Sequence, residues 1–428
     1  MEYGHALLPI LRYCRRHISW LITTFQRGFS ARPIPEYPMP FFDIVVVGSG
    51  GGVDETNLSG YVYSIGCLLD YYFARLVFLR YLLKPCDTSW DDGIIALEAG
   101  SGHGALAHIL KRNPSLFGQA IANGDDPSKR ATPFAIYSNV QCFLITHAHL
   151  DHISSLVLSA GTMGGGRKYI YGSPQTLKDL ETIFSGRIWP KRPLFRLIYR
   201  ALNADGKYKS VSQDVSVRNM TVSHGESDSG GVYESSCFFV KHIPSQHEFI
   251  FFGDVEPDSI SLKPRNVDVW RAAAPKIPHH LSAIFIECSY PAGRPTETLY
   301  GHLSPDHLVQ EMLNLAAEVV LARSSSKKRG VRVRKRQKRD MTSPEVLYGA
   351  LGGLRVFLTH CKETFSSDRP INHLIRDQCR DLLKPHNLGV EILTADQGMK
   401  IGRAGFIFSC ELLLVTSFAF GQRIYRVS

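Results

Sequence analysis

The run His147-Ala-His149-Leu-Asp151-His152 places three imidazoles and one carboxylate within six positions, directly after the apolar stretch Phe143-Leu-Ile-Thr. A strand that ends abruptly and turns into a helix can aim His147 and His149 at one ion. Asp151 and His152, in the turn and the first helical residues, then face a second ion nearby. Imidazole and carboxylate suit borderline and hard divalent ions, and the absence of thiolates from the run argues against an iron-sulfur or purely structural zinc site. A lone histidine on an apolar face would be read as a packed or surface residue; four such groups at a strand end are not.

The elements that must position this run are read from periodicity. Short apolar runs rich in β-branched and aromatic residues predict strands at Phe42 to Val47, Gly93 to Leu97, Gln141 to Thr146, Lys168 to Tyr171, Phe238 to Val240, Phe249 to Phe252, Ala283 to Ile286 and Leu354 to Thr359. Helical spacing follows several of them, at Gly104 to Lys111, Ser154 to Ala160, Gln175 to Phe184, Pro305 to Ala317 and Asn372 to Leu383. Strands that alternate with helices but also occur in runs predict an α/β fold with a layered αββα sandwich and polar residues at strand ends.

The H-x-H-L-D-H run resembles the fingerprint of the metallo-β-lactamase superfamily. From about Phe42 to Arg403 the sequence is similar, more specifically, to class II cyclic-nucleotide phosphodiesterases. The matching pieces occur in the family's order: Gly48-Ser-Gly-Gly-Gly, Ile95-Ala-Leu-Glu98-Ala-Gly-Ser, the metal run with Ile153-Ser-Ser-Leu-Val-Leu-Ser-Ala, Ile188-Trp-Pro, Ser223-His-Gly, Phe252-Gly-Asp-Val-Glu-Pro-Asp258, Glu287-Cys-Ser-Tyr and Tyr300-Gly-His-Leu-Ser-Pro305.

The resemblance implies the metallo-β-lactamase-like sandwich and hydrolysis of 3′,5′-cyclic AMP, with cyclic GMP a further substrate, to the nucleoside 5′-monophosphate. It also implies the remaining ligands. His224 joins His147 and His149, His360 joins Asp151 and His152, and Asp254 bridges, since a carboxylate can give one oxygen to each ion. Two divalent ions are implied, Zn²⁺ first, with Mn²⁺ or Mg²⁺ compatible at the second site. Such a pair clamps phosphate oxygens and lowers the proton affinity of water. The poor alkoxide leaving group calls for a proton donor. His302, oriented by Glu287, which would raise its proton affinity, is the candidate; the pair resembles the Glu and His couple of tRNA 3′-processing endonucleases. A helix-capping or phosphate-binding role for His302 stays open. Asp151 is placed with them among the catalytic groups, and Asn57 and Ser59, with His302, among the groups expected to meet substrate; a pure tight-turn role for Asn57 and Ser59 is the other reading.

Two elements invite misreading. Phe42-Asp-Ile-Val-Val-Val-Gly48-Ser-Gly50-Gly-Gly-Val53 looks like the opening of a dinucleotide-binding unit, but position 53 is Val and the next residues are polar. The glycines instead allow backbone to pass close to the site. Glu98 stands where the family pattern has Asp. It is expected either to buttress the loop or to orient a histidine ligand through a hydrogen bond.

The 428-residue chain is 44% hydrophobic and 21% charged, with nine scattered cysteines and no C-x-x-C pair. This argues against a disulfide framework and fits a reducing compartment. The net charge of +10 equals the ten basic residues between Arg323 and Arg339. That stretch is read as a solvated insertion at 323–340, with nuclear entry or polyanion binding as other readings. Residues 1–40 form a basic, Pro-ended extension, read as unstructured with a likeness to a mitochondrial presequence as the other reading, 41–402 the catalytic domain, and 403–428 a hydrophobic tail. Glu411 argues against the tail as a membrane anchor, and Asp70, Arg75 and Arg80 against a span in Tyr61 to Leu83. The expected setting is the cytoplasm and the expected partner a cyclic nucleotide, with no stable nucleic-acid partner and the oligomeric state open. Against this stand another hydrolase of the same superfamily, an RNA endonuclease or thioester hydrolase, and a catalytically silent binding protein.

Overall fold

A computed structural model describes residues 42–52, 54–65, 94–114, 116–117, 132–191, 196–227, 230–327, 343–362 and 369–401. The chain divides into Met1–Met39 and Pro40–Ser428, and all described residues belong to the second unit. The N-terminal extension, residues 66–93 with most of Tyr61 to Leu83, nearly all of the basic insertion and the hydrophobic tail lie outside the described residues.

Two sheets carry the molecule. The first pairs β14 (Lys400–Ile401), β1 (Phe42–Gly48), β2 (Gly60–Ile65), β3 (Ile94–Leu97), β4 (Val140–Leu144), β5 (Lys168–Gly172) and β6 (Leu197–Ala201) in that order. The second runs β13 (Glu391–Thr394), β12 (Arg355–Thr359), β11 (Leu281–Glu287), β10 (Glu248–Phe252), β9 (Val232–His242), β8 (Val215–Glu226) and β7 (Lys209–Ser210). β3 to β6 are parallel, as are β10 to β13, while β7, β8, β9 and β10 form an antiparallel series.

Period-two alternation explains the layers. Ile95, Leu97, Leu144, Phe238, Val240, Phe249, Phe251, Phe285 and Phe357 share one buried cluster between the sheets, with Phe285 stacked on Phe357 at 4.9 Å. Their alternating neighbours face outward. Ile94, Ala96 and Phe143 pack with α1 (His103–Arg112), α2 (Pro133–Ser138), α3 (Leu150–Ser159) and α4 (Pro174–Ile183). Cys237, Phe239, Ile250, Phe252, Ile284, Ile286, Val356 and Leu358 pack with α5 (Asn266–Ala273), α6 (Pro305–Lys327), α7 (Pro344–Leu347) and α8 (Ile371–Leu383). The αββα sandwich expected from the sequence is the observed fold. Among the described residues no helix is long and apolar enough to cross a membrane.

The turn after β10 shows how a loop is made rigid enough to hold a reactive side chain. Asp258 accepts the backbone N–H groups of Arg265, Asn266 and Val267 at 2.8 to 2.9 Å, capping α5. Glu311 of α6, itself buried, accepts from the Asp258 N–H at 2.9 Å and from Trp270 Nε1 at 2.6 Å. Glu311→Ala would leave these buried donors unpaired, at a cost of about 3 kcal/mol. A melting temperature several degrees below wild type is the expected result, with Glu311→Gln in between; an unchanged value for the alanine variant would refute this account of the turn.

Candidate metal centre and active site

The polar groups lie where parallel strands end, the edge at which open α/β sheets commonly bind ligands. Glu98 follows β3, Thr146 and His147 lie just beyond β4, Asp254 follows β10, Glu287 ends β11 and His360 follows β12, while His224 comes from within β8. Helix α3 begins at Leu150, four residues before the predicted start. Asp151 and His152 therefore occupy its first turn, where the helix dipole favours a carboxylate.

Two donor sets converge. His147, His149, His224 and Asp254 each offer an atom within 4.8 Å of the others, and so do Asp151, His152, Asp254 and His360. In the first set, His149 Nδ1 lies 3.1 Å from His147 Nε2 and 3.3 Å from His224 Nε2, and Asp254 Oδ2 is 3.5 Å from His224 Nε2. In the second, Asp254 Oδ1 is 3.3 Å from His152 Nε2, and Asp151 Oδ2 is 3.0 Å from His360 Nε2. Asp254 belongs to both, with Oδ2 facing His147, His224 and His360 and Oδ1 facing His152. All seven residues singled out as ligands are thus brought together.

The donor set fits a divalent cation. His152 is buried, and neither of its ring nitrogens has a hydrogen-bond partner. Such a buried polar group needs compensation, and a cation would supply it. The far nitrogens of three other imidazoles are held. His224 Nδ1 donates to the Gly301 carbonyl at 2.8 Å, His360 Nδ1 meets Ser289 Oγ at 3.0 Å, and His147 Nδ1 meets Thr146 Oγ1 at 3.0 Å. Each contact orients a ring so that Nε2 points into the cluster. Tyr233 of β9 stacks on His149 at 4.5 Å and 12°.

The electrostatics follow from this crowding. Burial opposes ionisation of Asp151 and Asp254, yet the imidazoles of His360 and His152 hold both carboxyls below the usual carboxylate range. Burial pushes the His224 imidazole down to about 4. Burial likewise lowers His147 and His149, whereas against its burial Asp254 and Glu98 push the His152 imidazole up, so a cation bound there must displace its proton.

A third group, Glu287 and His302, adjoins the first two through His224. His302 Nδ1 lies 2.8 Å from Glu287 Oε1, which also accepts the Val255 N–H at 2.8 Å, while Oε2 accepts from Ser289 Oγ at 2.6 Å and from the Leu303 N–H at 3.3 Å. Glu287 was expected to raise the proton affinity of His302. Burial dominates instead and lowers the imidazole to about 4, while burial and the nearby Asp254 push Glu287 up to about 7. Desolvation penalises the charged form of each partner. Glu287 fixes the ring's orientation and tautomer without making the free imidazole more basic.

Other expectations resolve differently. Gly51 packs against the His360 ring so closely that a Cβ would lie 2.2 Å from it, which is why the opening turn is glycine-rich. Asn57 Oδ1 accepts the Ser49 N–H at 3.2 Å, and the Ser59 carbonyl accepts the Gly100 N–H at 2.8 Å. Asn57 thus pins the opening turn, and Ser59 ties the residues after it to the loop beyond β3. Glu98 is buried in left-handed backbone at φ 63°; its Oε1 accepts the Thr146 N–H at 3.1 Å and lies 3.7 Å from His152 Nδ1. The loop contact is made, and the carboxylate also faces His152, whose imidazole it helps push up. Sequence reasoning missed three contributors. Ser289 and Thr146 were visible inside quoted motifs, whereas Tyr233 lies about 80 positions from the ring it stacks on and gave no signal.

With this geometry in place, comparison with known proteins is decisive. The family of cAMP phosphodiesterases class-II matches residues 119–398. The chain belongs to that family. A 3′,5′-cyclic-nucleotide phosphodiesterase of Schizosaccharomyces pombe is 35% identical over 236 residues, covering 53% of this chain and 68% of the relative. The 3′,5′-cyclic-nucleotide phosphodiesterase 1 of Saccharomyces cerevisiae is 30% identical over 402 residues, covering 82% and 96%. The crystal structure of unliganded yeast PDE1 superposes with a TM-score of 0.66 at 24% identity, over 85% of this chain and 100% of that one. This last likeness supports the fold.

Proposed function

We propose that the protein is a metal-dependent phosphodiesterase that opens 3′,5′-cyclic AMP, and cyclic GMP, to the nucleoside 5′-monophosphate and so lowers the cyclic-nucleotide signal. The observation that carries the reading is the sharing of Asp254 by two donor sets, with the Glu287–His302 pair on a third side. Two ions fit best. His147, His149, His224 and Asp254 would hold one, and Asp151, His152, Asp254 and His360 the other. Zn²⁺ is favoured by the imidazole-rich first set, and Mn²⁺ or Mg²⁺ is compatible with the second. Bound there, divalent ions supply charge neutralisation for the phosphate and acidify water.

The chain's own groups account for the rest. A water oxygen forms the new bond to phosphorus as the bond to O3′ breaks, and O3′ must receive a proton. His302, clamped through Nδ1 by Glu287, keeps Nε2 free for that oxygen. Its imidazole is neutral in the free site; a bound phosphate's negative charge favours the protonated, donating form. Asn57 contributes by pinning the opening turn, and Ser59 by tying the residues after it to the loop beyond β3.

Removing divalent ions with a chelator is expected to abolish turnover and lower the melting temperature, because the crowded donors lose their common partner. A ligand present at 100 times its Kd stabilises by about 2.7 kcal/mol, so adding Zn²⁺ or Mn²⁺ back should restore both readouts. The direct test is chromatography of the products from cyclic AMP. Appearance of 5′-AMP with the metal-loaded protein supports the reading. Its absence with a folded, two-metal protein would reject it.

A further inference from the structure

The loop between β11 and α6 begins and ends at the active site, at Glu287 and at His302, and its function is not exhausted by those two residues. The Ser289 N–H donates to the Leu303 carbonyl at 3.0 Å, closing the loop at its base. Immediately outside that closure the Tyr290 ring meets His302 edge-on, at 5.9 Å and 78°. The Arg294 guanidinium lies 3.8 Å over the Tyr290 ring centre and 6.0 Å from that of Tyr300, and its Nε is fixed by the Thr298 carbonyl at 2.7 Å. Arg294 is half-buried, and among the described residues it has no carboxylate within ion-pair distance. Tyr300 is 69% exposed and held at φ 52°, a conformation uncommon for a bulky side chain.

This is a planar cation layered on an aromatic ring, beside the proposed proton donor. Stacking satisfies the guanidinium's face, while its outer N–H groups keep their capacity to donate. In a cyclic nucleotide the phosphate must lie at the metal centre, so the base projects away from it. We propose that Tyr290, Arg294 and Tyr300 form the subsite for the purine, and that Arg294 favours guanine over adenine. This rests on the phosphodiesterase reading. Arginine offers donors only. Guanine presents two acceptors, O6 and N7, to such a group, whereas adenine pairs one acceptor with an amino donor that an all-donor partner cannot satisfy. Tyr300 supplies a second face for stacking, which is tolerant of either purine.

The test compares the metal-loaded wild type with Arg294→Ala and Tyr300→Ala on cyclic GMP, cyclic AMP and bis(4-nitrophenyl) phosphate, a diester without a base. For Arg294→Ala, kcat/KM for cyclic GMP should fall about tenfold or more relative to the baseless diester, chiefly through KM, with a smaller fall for cyclic AMP and unchanged metal content. Tyr300→Ala should weaken both nucleotides alike. Equal losses on all three substrates, loss of metal, or unchanged KM values for the nucleotides would each overturn the subsite. A wild type that cleaves the baseless diester but neither cyclic nucleotide would instead reject the functional reading beneath it, and the subsite with it.

Discussion

Asp254→Ala should abolish hydrolysis of cyclic AMP and disturb both metal positions at once, which no other single substitution in the cluster should do. The reason is geometric. Asp254 Oδ2 lies 3.4 to 3.7 Å from the Nε2 atoms of His147, His224 and His360, and Oδ1 lies 3.3 Å from Nε2 of His152. Removing it deletes the one carboxylate common to both donor sets. Losing a residue that merely orients a ligand costs about 10 to 100-fold in metal affinity or activity. A shared ligand should cost more, on the order of 10³-fold or greater in kcat/KM, with fewer than two ions retained by elemental analysis. His149→Ala provides the contrast. It belongs to one set only and is more exposed, so it should lose one ion and keep the second. An Asp254→Ala protein that retains two ions at wild-type affinity would show that the bridging assignment is wrong.

The same geometry shows what could be read in advance. The αββα layering was legible because apolar strands alternate with helices but also occur in runs, whereas the period-two division of β3, β9, β10, β11 and β12 between two apolar faces appears only in the fold. Phe249 and Phe251 point between the sheets while Ile250 and Phe252 face the helices. Strands β2, β6, β7, β8, β13 and β14 were not predicted. In β8 the sequence Val-Ser-Val-Arg-Asn-Met-Thr-Val-Ser-His-Gly-Glu mixes polar groups into a long hairpin partner of β9, and only pairing with Val232–His242 makes it a strand. The ligand run was legible because its residues are consecutive. His224 and His360 were not legible alone, since each comes from a strand more than 70 positions away and meets the run only after folding. Glu98 shows the limit of motif reading. Its identity raised the question of buttress or ligand-orienting group, and in the fold its Oε1 both accepts the Thr146 N–H at 3.1 Å and faces His152 Nδ1 at 3.7 Å, a pairing no motif could show.

His302→Ala should lower kcat for cyclic AMP by roughly 10² to 10⁴-fold, the range for loss of a general acid, while both ions are retained. The argument starts from what His302 touches. Its Nδ1 is occupied by Glu287 at 2.8 Å, and its ring stacks at 5.2 Å on His360, yet it belongs to neither of the two donor sets that share Asp254. Loss of metal in this variant would contradict the proton-donor role. A phosphate-binding role makes a different prediction, a rise in KM with kcat largely kept. The leaving group separates the roles further. Ribose O3′ departs as a strongly basic alkoxide and needs the proton, whereas 4-nitrophenolate is a stable anion and does not. Turnover of bis(4-nitrophenyl) phosphate should therefore suffer much less than that of cyclic AMP. Equal losses on both substrates would assign His302 to binding or to shaping the site. Glu287→Gln should follow the same pattern more weakly, because the amide can still accept through its oxygen but introduces an N–H₂ among the donors of Val255, Ser289 and Leu303. A Glu287→Gln loss that exceeds the His302→Ala loss would place the carboxylate, rather than the imidazole, at the reacting atoms.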